Sequence, residues 1–438
     1  MKKIVFILAL CFLFFVFESK SAAESLIVKK VHEAQELLKD SEVSFETQEI
    51  KICSRPKNKK TVCKIESKVV AKLSVLKAWD SGEDKFYDIR IRLPYPLPKS
   101  GIVFETLTKD FIVEHVYGRY VGKFAFRASY QGKSVLVLAG KHLWVPPAYG
   151  DSQNYNLLNE QAEEIIYTPF ADSLYDKDAV LDGARFLKSE VVRALEDLRD
   201  KKVVSRALPG KLLADFAPWE YPFNLGINEQ MDHQKFDRDH QYTAEEVLIE
   251  YAFNREKSFR QAVSVANARG PFQFTDNGNS KALGTYSTVV NAYKDADLTE
   301  DFEAGAQDLQ NIIKAAICLL DLELSNMSGD AHSLFEQDYR RGAIYPSAAY
   351  NGGYGTARAL YNWIKKNNYE ITFDNFHPSP QAFAYLRTSV RYQNVKRGKK
   401  IVRISVKSTK KIVNTETPYY LRKQMYLWKL TDELKGQL

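Results

Sequence analysis

The chain has 438 residues, of which 45% are hydrophobic and 27% charged, and it carries a formal net charge of +7. This length predicts two or three domains, and the lack of internal repeats and low-complexity tracts argues against a repeat protein or a disordered chain. No spacing of Cys and His residues is typical of a metal site, so we expect neither a metal ion nor another cofactor.

The first 23 residues have the pattern of a secretory signal peptide. Lys2 and Lys3 precede an apolar run over residues 4–17, and a small-residue cleavage site ends at Ala23. The apolar run is short for a membrane span, and an uncleaved anchor is the alternative. No later segment is long and apolar enough to cross a membrane. We therefore expect export to the periplasm or cell envelope, or secretion beyond it.

Residues 24–150 are predicted to form a β-rich domain that begins with a helix. Apolar residues alternate with polar ones between residues 45 and 140, which is typical of strands with one buried face. Cys53 and Cys63 flank a polar segment that we interpret as a hairpin loop. In an oxidising compartment this pair is expected to form a disulfide.

A helical segment with a linker is predicted for residues 151–240. Apolar residues recur at three- and four-residue spacing from Val180 to Leu198, which indicates an amphipathic helix with Asp178 as its N-cap. The linker over residues 208–240 is rich in Pro, Gly and aromatic side chains.

The segment 241–370 is predicted to be a helical domain. Its helices are expected over residues 244–255, 308–324 and 356–365, and the second is the most apolar. Cys318 lies in that apolar run and is interpreted as a buried core thiol.

The basic charge is concentrated in the last segment, residues 371–438. From Arg387 onward there are 14 Lys or Arg residues and 3 Asp or Glu residues. Residues 400–406 and 410–413 are predicted as short strands, and 419–434 as a closing helix. A basic patch attracts anions, so this extension predicts binding to an anionic cell-envelope polymer, with a solvated face as the alternative. Export argues against nucleic acid as the partner.

Two motifs carry the strongest functional signal. The first is EKSFRQAVSVANARGPFQFT, which begins at Glu256, and the second is AAYNGG, which ends at Gly353. Together they resemble the signature of the lytic murein transglycosylases, whose domain has a goose-lysozyme-like fold. The matching residues are Glu256, Phe259, Ala262, Ser264, Ala268, Gly270, Gln273, Ala349, Tyr350, Asn351 and Gly353.

The resemblance implies an enzyme that cleaves the β-1,4 bond between N-acetylmuramic acid and N-acetylglucosamine in peptidoglycan glycan strands. It implies that Glu256 acts first as general acid and then as base toward the C6 hydroxyl, which yields a 1,6-anhydro sugar without hydrolysis. Such an acid must stay protonated near neutral pH, and burial in an apolar cleft achieves this.

Further motif residues are predicted to line the substrate cleft. Ser264 and Gln273 would place polar groups on its wall, and Phe272 would offer a ring for stacking on a sugar. Tyr350 would donate a hydrogen bond near the acid or the substrate's acetamido group. Asn351 would fix a turn through its backbone contacts. For Ser264 and Asn351 a purely structural role is the alternative.

The match departs from the family pattern in three places. Lys257 stands where the family has a small Ser, and one residue fewer than usual separates Glu256 from Ser264. Pro271 and Phe272 replace other apolar residues of the family. Because Glu250 also starts a Glu-x-x-Phe match, it is the alternative acid.

The sequence therefore predicts an α+β multidomain protein: a mainly α-helical, lysozyme-like catalytic domain flanked by a β-rich N-terminal region and a small basic C-terminal extension. Two other functions stay open. A hydrolase on the same fold would need a carboxylate such as Asp276, Asp295 or Asp297 to activate water. A glycan-binding or secretion-assembly protein would keep the fold without activity.

Overall fold

The computed structural model describes residues 24–54, 61–97, 103–116, 125–278, 283–373, 376–397 and 400–438. The predicted signal peptide lies outside these residues. Within the described ranges, no helix combines the length and the hydropathy that a membrane span requires.

Eight strands of the N-terminal part form one antiparallel sheet. They are β1 (Ser44–Ser54), β2 (Val62–Asp80), β3 (Lys85–Pro94), β4 (Glu105–Thr106), β5 (Phe111–Val116), β6 (Ala125–Tyr130), β7 (Lys133–Trp144) and β8 (Glu163–Tyr167). The sheet runs in the order β4-β3-β2-β7-β6-β5, with β1 added to β2 and β8 added to β7. It curls into a nearly closed, barrel-like shape.

The predicted disulfide is confirmed. Cys53 and Cys63 are directly opposite each other in the β1–β2 ladder and are joined through their sulfur atoms. The bond therefore closes the end of this hairpin.

The described part of the chain also contains many helices. Those up to the middle of the chain are α1 (Leu26–Leu37), α2 (Tyr155–Gln161), α3 (Lys177–Asp200), α4 (Leu213–Phe216), α5 (Glu220–Asn228), α6 (His233–Phe236) and α7 (His240–Asn254). The later ones are α8 (Thr285–Ala292), α9 (Phe302–Gln307), α10 (Leu309–Ser325), α11 (Gly329–Gln337), α12 (Tyr339–Gly342), α13 (Ile344–Gly352), α14 (Tyr354–Asn367) and α15 (Thr417–Lys435).

The N-caps explain where the two longest predicted helices begin. Asp176, two residues before the predicted cap, accepts hydrogen bonds from the first-turn amides of α3. Asp308 caps α10 through the amide of Asn311, and Cys318 is fully buried in the middle of that helix.

A two-stranded hairpin lies between α14 and α15. Its strands, β9 (Ala384–Arg397) and β10 (Lys400–Val413), pair along their whole length. The two short strands predicted within residues 400–413 are one continuous strand, and its partner β9 was not predicted.

The predicted fold class is wrong. It described a mainly α-helical, lysozyme-like domain with flanking regions, whereas the chain builds a nearly closed antiparallel sheet of eight strands together with the helices. One hydrophobic core includes Val31 of α1, Leu187 of α3, Ile312 of α10 and Trp428 of α15. The sheet side and the C-terminal helix are therefore packed into the same core as the motif-bearing segment, although strands and helices do occupy different parts of the chain.

Candidate active site

A cleft of about 610 Å³ lies where the sheet, the central helices and α15 meet. This volume is usual for a ligand-binding site. Its walls come from the end of α5, from the segment 259–275 (termed here the motif loop), from α13 and α15, and from the ends of β7 and β8. The cleft therefore draws on every segment that the sequence predicted as separate.

Four predicted site residues come together on its walls: Ser264, Gln273, Tyr350 and Asn351. The Tyr350 hydroxyl donates a hydrogen bond to the carbonyl oxygen of Phe272 and so ties α13 to the motif loop. Burial, helped by the nearby charge of Glu229, raises the pKa of Tyr350 well above its ordinary value. The hydroxyl therefore stays protonated at working pH.

Gly270 gives the motif loop its shape. Its φ is +70°, and a Cβ at this position would lie 1.9 Å from the carbonyl oxygen of Ala306, so only glycine fits. The Gly270 carbonyl oxygen accepts hydrogen bonds from Nε2 of Gln273 at 2.8 Å and from Nε2 of Gln230 at 3.3 Å. Because Gln230 is the second residue after α5, its contact attaches the loop to the end of that helix.

Ser264 and Asn351 each make a structural contact as well as facing the cleft. The Oγ atom of Ser264 accepts a hydrogen bond from the amide of Ala268 at 3.0 Å, which closes a turn of the motif loop. Oδ1 of Asn351 accepts one from Oγ1 of Thr417 at 2.8 Å and so joins α13 to α15.

Phe272 does not face the cleft. It is fully buried and packs so closely on α5 that a Cβ at Gly226 would lie 3.0 Å from its ring. Two other rings of the motif loop, Phe259 and Phe274, line the cleft, and Phe274 stands edge-on to Tyr350 at 5.6 Å between centroids. The predicted sugar-stacking role of Phe272 is therefore replaced by a role in the core.

Glu256 lies outside the cleft. It is exposed in a short 3-10 helix, Arg255–Lys257, and does not belong to the cleft lining. The alternative acid, Glu250, is buried, but its carboxylate accepts hydrogen bonds from the Tyr167 hydroxyl at 2.8 Å and from the amide of Phe170 at 3.2 Å. It therefore fastens α7 to the sheet and does not line the cleft either.

A buried glutamate oxygen does face the cleft: it belongs to Glu229, the first residue after α5. Its Oε1 atom is buried and has no hydrogen-bond partner among the described residues. Burial raises the pKa of Glu229 well above that of an ordinary glutamate, against the opposing effects of the Tyr420 hydroxyl and the Lys423 ammonium. A carboxyl held in this way retains its proton near neutral pH and can donate it.

The C-terminal helix supplies polar groups that interact with this carboxyl. Tyr420 and Lys423 of α15 both line the cleft and both are buried. The Tyr420 hydroxyl lies near the Glu229 carboxyl, and the nearby negative charge adds to burial in raising the pKa of Tyr420. The segment predicted as a basic extension therefore completes the site.

The sheet forms another wall. Trp144 at the end of β7 and Ile165 and Tyr167 of β8 line the cleft. Thr168 and Asn254 exchange two hydrogen bonds, N to Oδ1 at 2.9 Å and Nδ2 to O at 2.8 Å, so the end of β8 is fixed on α7. These two bonds attach this wall of the cleft to the motif-bearing part of the chain.

Besides Glu229, two carboxylates line the described part of the cleft. Asp232 caps α6 through the amides of Gln234 and Lys235, and Glu416 is exposed just before α15.

The carboxylates considered for a hydrolase lie elsewhere. Asp276 accepts hydrogen bonds from the amide and hydroxyl of Ser287 in α8, and Asp295 is exposed. Asp297 pairs with Lys201 at the surface. None of the three belongs to the cleft lining.

Sequence reasoning missed Glu229 because it looked for the acid next to the motif loop. Helices α6 and α7 are inserted between the two, so Glu229 and Gly270 are far apart in sequence although Gln230 contacts the Gly270 carbonyl. The sequence signal for it was an acidic residue directly after the segment FNLGIN, in a region interpreted as a linker.

Within the described ranges, no group of three or more His, Cys, Asp and Glu side chains is arranged to hold a metal ion. Comparison with models of protein families, with curated proteins and with solved structures finds no match to this chain.

Proposed function

We propose that the protein is an exported peptidoglycan lytic transglycosylase in which Glu229 takes the role first assigned to Glu256. The observation that carries this proposal is the Glu229 carboxyl on the wall of a cleft that also holds Gln273, Tyr350 and Asn351: its Oε1 atom is buried and has no hydrogen-bond partner among the described residues. Burial keeps that carboxyl protonated, which is the property a general acid toward a glycosidic oxygen needs.

The proposed reaction has two proton transfers through one carboxyl. Glu229 protonates the oxygen that links N-acetylmuramic acid to N-acetylglucosamine, and the bond from C1 to that oxygen breaks. The carboxylate then takes the proton of the C6 hydroxyl of the muramic sugar, whose oxygen bonds to C1. The products are a 1,6-anhydro end and a free N-acetylglucosamine hydroxyl, with Glu229 protonated again and no water consumed.

Two features favour transglycosylation over hydrolysis. A hydrolase of the common type needs a second, well-placed carboxylate, and Asp276, Asp295 and Asp297 lie outside the cleft lining. Of the carboxylates that do line it, Asp232 caps a helix and Glu416 is exposed. The substrate's own acetamido group is the remaining group that can assist departure, as the family resemblance implies.

The test is digestion of purified sacculi by the mature protein, followed by mass spectrometry of the released muropeptides. The proposal predicts 1,6-anhydro ends. Reducing ends would instead support a hydrolase, and binding without release would support a non-catalytic glycan-binding or secretion-assembly protein. Either of those results would overturn the proposed reaction.

Trp144 is expected to bind a sugar ring of the glycan strand, because aromatic rings offer apolar faces to sugars and this ring is partly exposed on the cleft wall. Loss of such a ring costs about 0.5–1.5 kcal/mol, which corresponds to a rise in KM of up to about 10-fold for W144A. W144F should show a smaller rise, and kcat should stay unchanged in both. An unchanged KM for W144A on soluble glycan strands would exclude this contact.

The basic hairpin is proposed to hold the enzyme on an anionic cell-envelope polymer. Thr388 and Thr409 are paired across the hairpin, and their hydroxyls lie 3.1 Å apart. A short Gly-Ser linker can therefore replace residues 389–408, which include seven basic and no acidic residues. We expect the variant to bind sacculi more weakly at low salt, since salt screens such attraction. Equal binding at all salt concentrations would favour a merely solvated hairpin.

A further inference from the structure

Lys423 is a buried cation that contacts the backbone on both sides of Glu229. Its side chain is 3% exposed. Its Nζ atom donates hydrogen bonds to the carbonyl oxygen of Asn228 at 2.7 Å and to that of Met231 at 3.1 Å. The turn that carries Glu229 is thus held at both ends by one ammonium group from a helix almost 200 residues later.

We propose that Lys423 is the positioning residue of this site: it fixes the turn after α5 and thereby aims the Glu229 carboxyl into the cleft. This inference rests on the proposed function of Glu229. The last carbonyls of a helix have no partner within the helix, and a cation satisfies them while interacting favourably with the helix dipole.

Other contacts between the same two helices keep Lys423 in place. Asn228 donates from Nδ2 to Oε1 of Gln424 at 3.1 Å and to the carbonyl oxygen of Tyr420 at 3.3 Å. Further along, Oγ1 of Thr431 donates to Oδ1 of Asn224 at 2.6 Å. All of these side chains are buried, so the position of the ammonium is determined by the packing of α15 on α5.

Lys423 also affects the pH at which Glu229 loses its proton. A positive charge near a carboxyl favours the ionised form, so the ammonium lowers a pKa that burial raises. Around the pair lie Asp232 and His233 of the turn and α6, Tyr221 of α5, Tyr350 of α13 and Tyr420 of α15. The three tyrosines have raised pKa values and stay neutral, and burial lowers the pKa of His233, which is neutral in alkali.

The direction in which Lys423 shifts the pH dependence of activity follows from this arrangement. Activity that needs protonated Glu229 is lost as the pH rises through the pKa of Glu229. If Lys423 is replaced by Met, the charge disappears, the pKa of Glu229 rises, and the alkaline limb of the pH–rate profile moves to higher pH. K423R keeps the charge and should leave that limb close to its wild-type position.

The experiment compares K423M, K423R and the exposed-site control K429M with the wild type on soluble glycan strands. For K423M we expect kcat to fall about 10- to 100-fold, as for a misplaced catalytic group, with a small change in KM and the alkaline limb shifted upward. K429M should match the wild type. A fall in thermal stability with an unmoved alkaline limb would mean that Lys423 is only structural and would overturn the proposal.

A second readout separates this inference from the proposed activity. The infrared band of a protonated carboxyl, identified as Glu229 by its loss in E229Q, can be followed against pH without turnover. The inference predicts that the band persists to higher pH in K423M than in the wild type. If the wild type cleaves no glycan strand and the band nevertheless persists to higher pH in K423M, the proposed function fails and the coupling of Lys423 to Glu229 stands. An unshifted band overturns the coupling.

Discussion

Replacing Glu229 by Gln is expected to abolish the release of muropeptides while the protein stays folded. The amide has almost the shape of the carboxyl but can neither give up an acidic proton nor accept one in the second step. General acid–base catalysis contributes about 10²- to 10⁴-fold to a rate, so a loss of about 10³-fold or more is expected. The fold should survive because Oε1 of Glu229 has no hydrogen-bond partner among the described residues that the substitution would remove. The effect is measured as the rate of muropeptide release by E229Q and by the wild type, compared at equal amounts of sacculus-bound protein.

E256Q is the matched control, since it makes the same chemical change at the exposed glutamate of the first motif. It should cleave at the wild-type rate. If E256Q were inactive and E229Q active, the catalytic role would return to the residue that the sequence pattern indicated, and the cleft described above would not be the active site.

Ending the chain before α15 is expected to prevent folding. Leu421, Leu427 and Trp428 are almost fully buried in the common core, and burial of each such side chain stabilises a protein by about 1.5–3 kcal/mol. Together with the other buried residues of the helix, their loss exceeds the net stability of a typical protein, about 5–15 kcal/mol. We therefore expect a chain ending at Glu416 to show no cooperative thermal unfolding by circular dichroism.

The hairpin variant that lacks residues 389–408 is the control for this prediction, because it shortens the same C-terminal region but keeps α15. It should unfold cooperatively near the wild-type temperature and cleave soluble glycan strands at the wild-type rate. A folded, active chain ending at Glu416 would show that α15 is dispensable, as the description of a basic extension had implied.

The sequence predicted the elements whose signals are local. The alternation of apolar and polar residues predicted the β-rich region, and apolar residues at three- and four-residue spacing predicted α3 and α10. The cysteines Cys53 and Cys63, on either side of a polar segment, predicted the disulfide. The arrangement of these elements depends on contacts between distant segments, such as Trp428 packing in the same core as Val31. No periodicity within one segment reveals such a contact, and the fold class was therefore wrong.

For the candidate site, too, the sequence predicted what is local and did not predict what depends on contacts between distant segments. Ser264, Gln273, Tyr350 and Asn351 were placed in the cleft because their two motifs are each continuous in sequence. The predicted acid, Glu256, lies outside the cleft, whereas Glu229, which lines it, is separated from the motif loop in sequence by an insertion of two helices. Lys423 and Trp144 could not be found, since only packing brings them to the cleft.

The central claim is that Glu229 cleaves the glycan strand without water. It is tested most directly by digesting sacculi with the wild type and with E229Q in water enriched in the heavy oxygen isotope. The masses of the released muropeptides are then measured by mass spectrometry. The account predicts 1,6-anhydro muropeptides without heavy oxygen from the wild type and no products from E229Q. Heavy oxygen in new reducing ends, or unchanged release by E229Q, would contradict it.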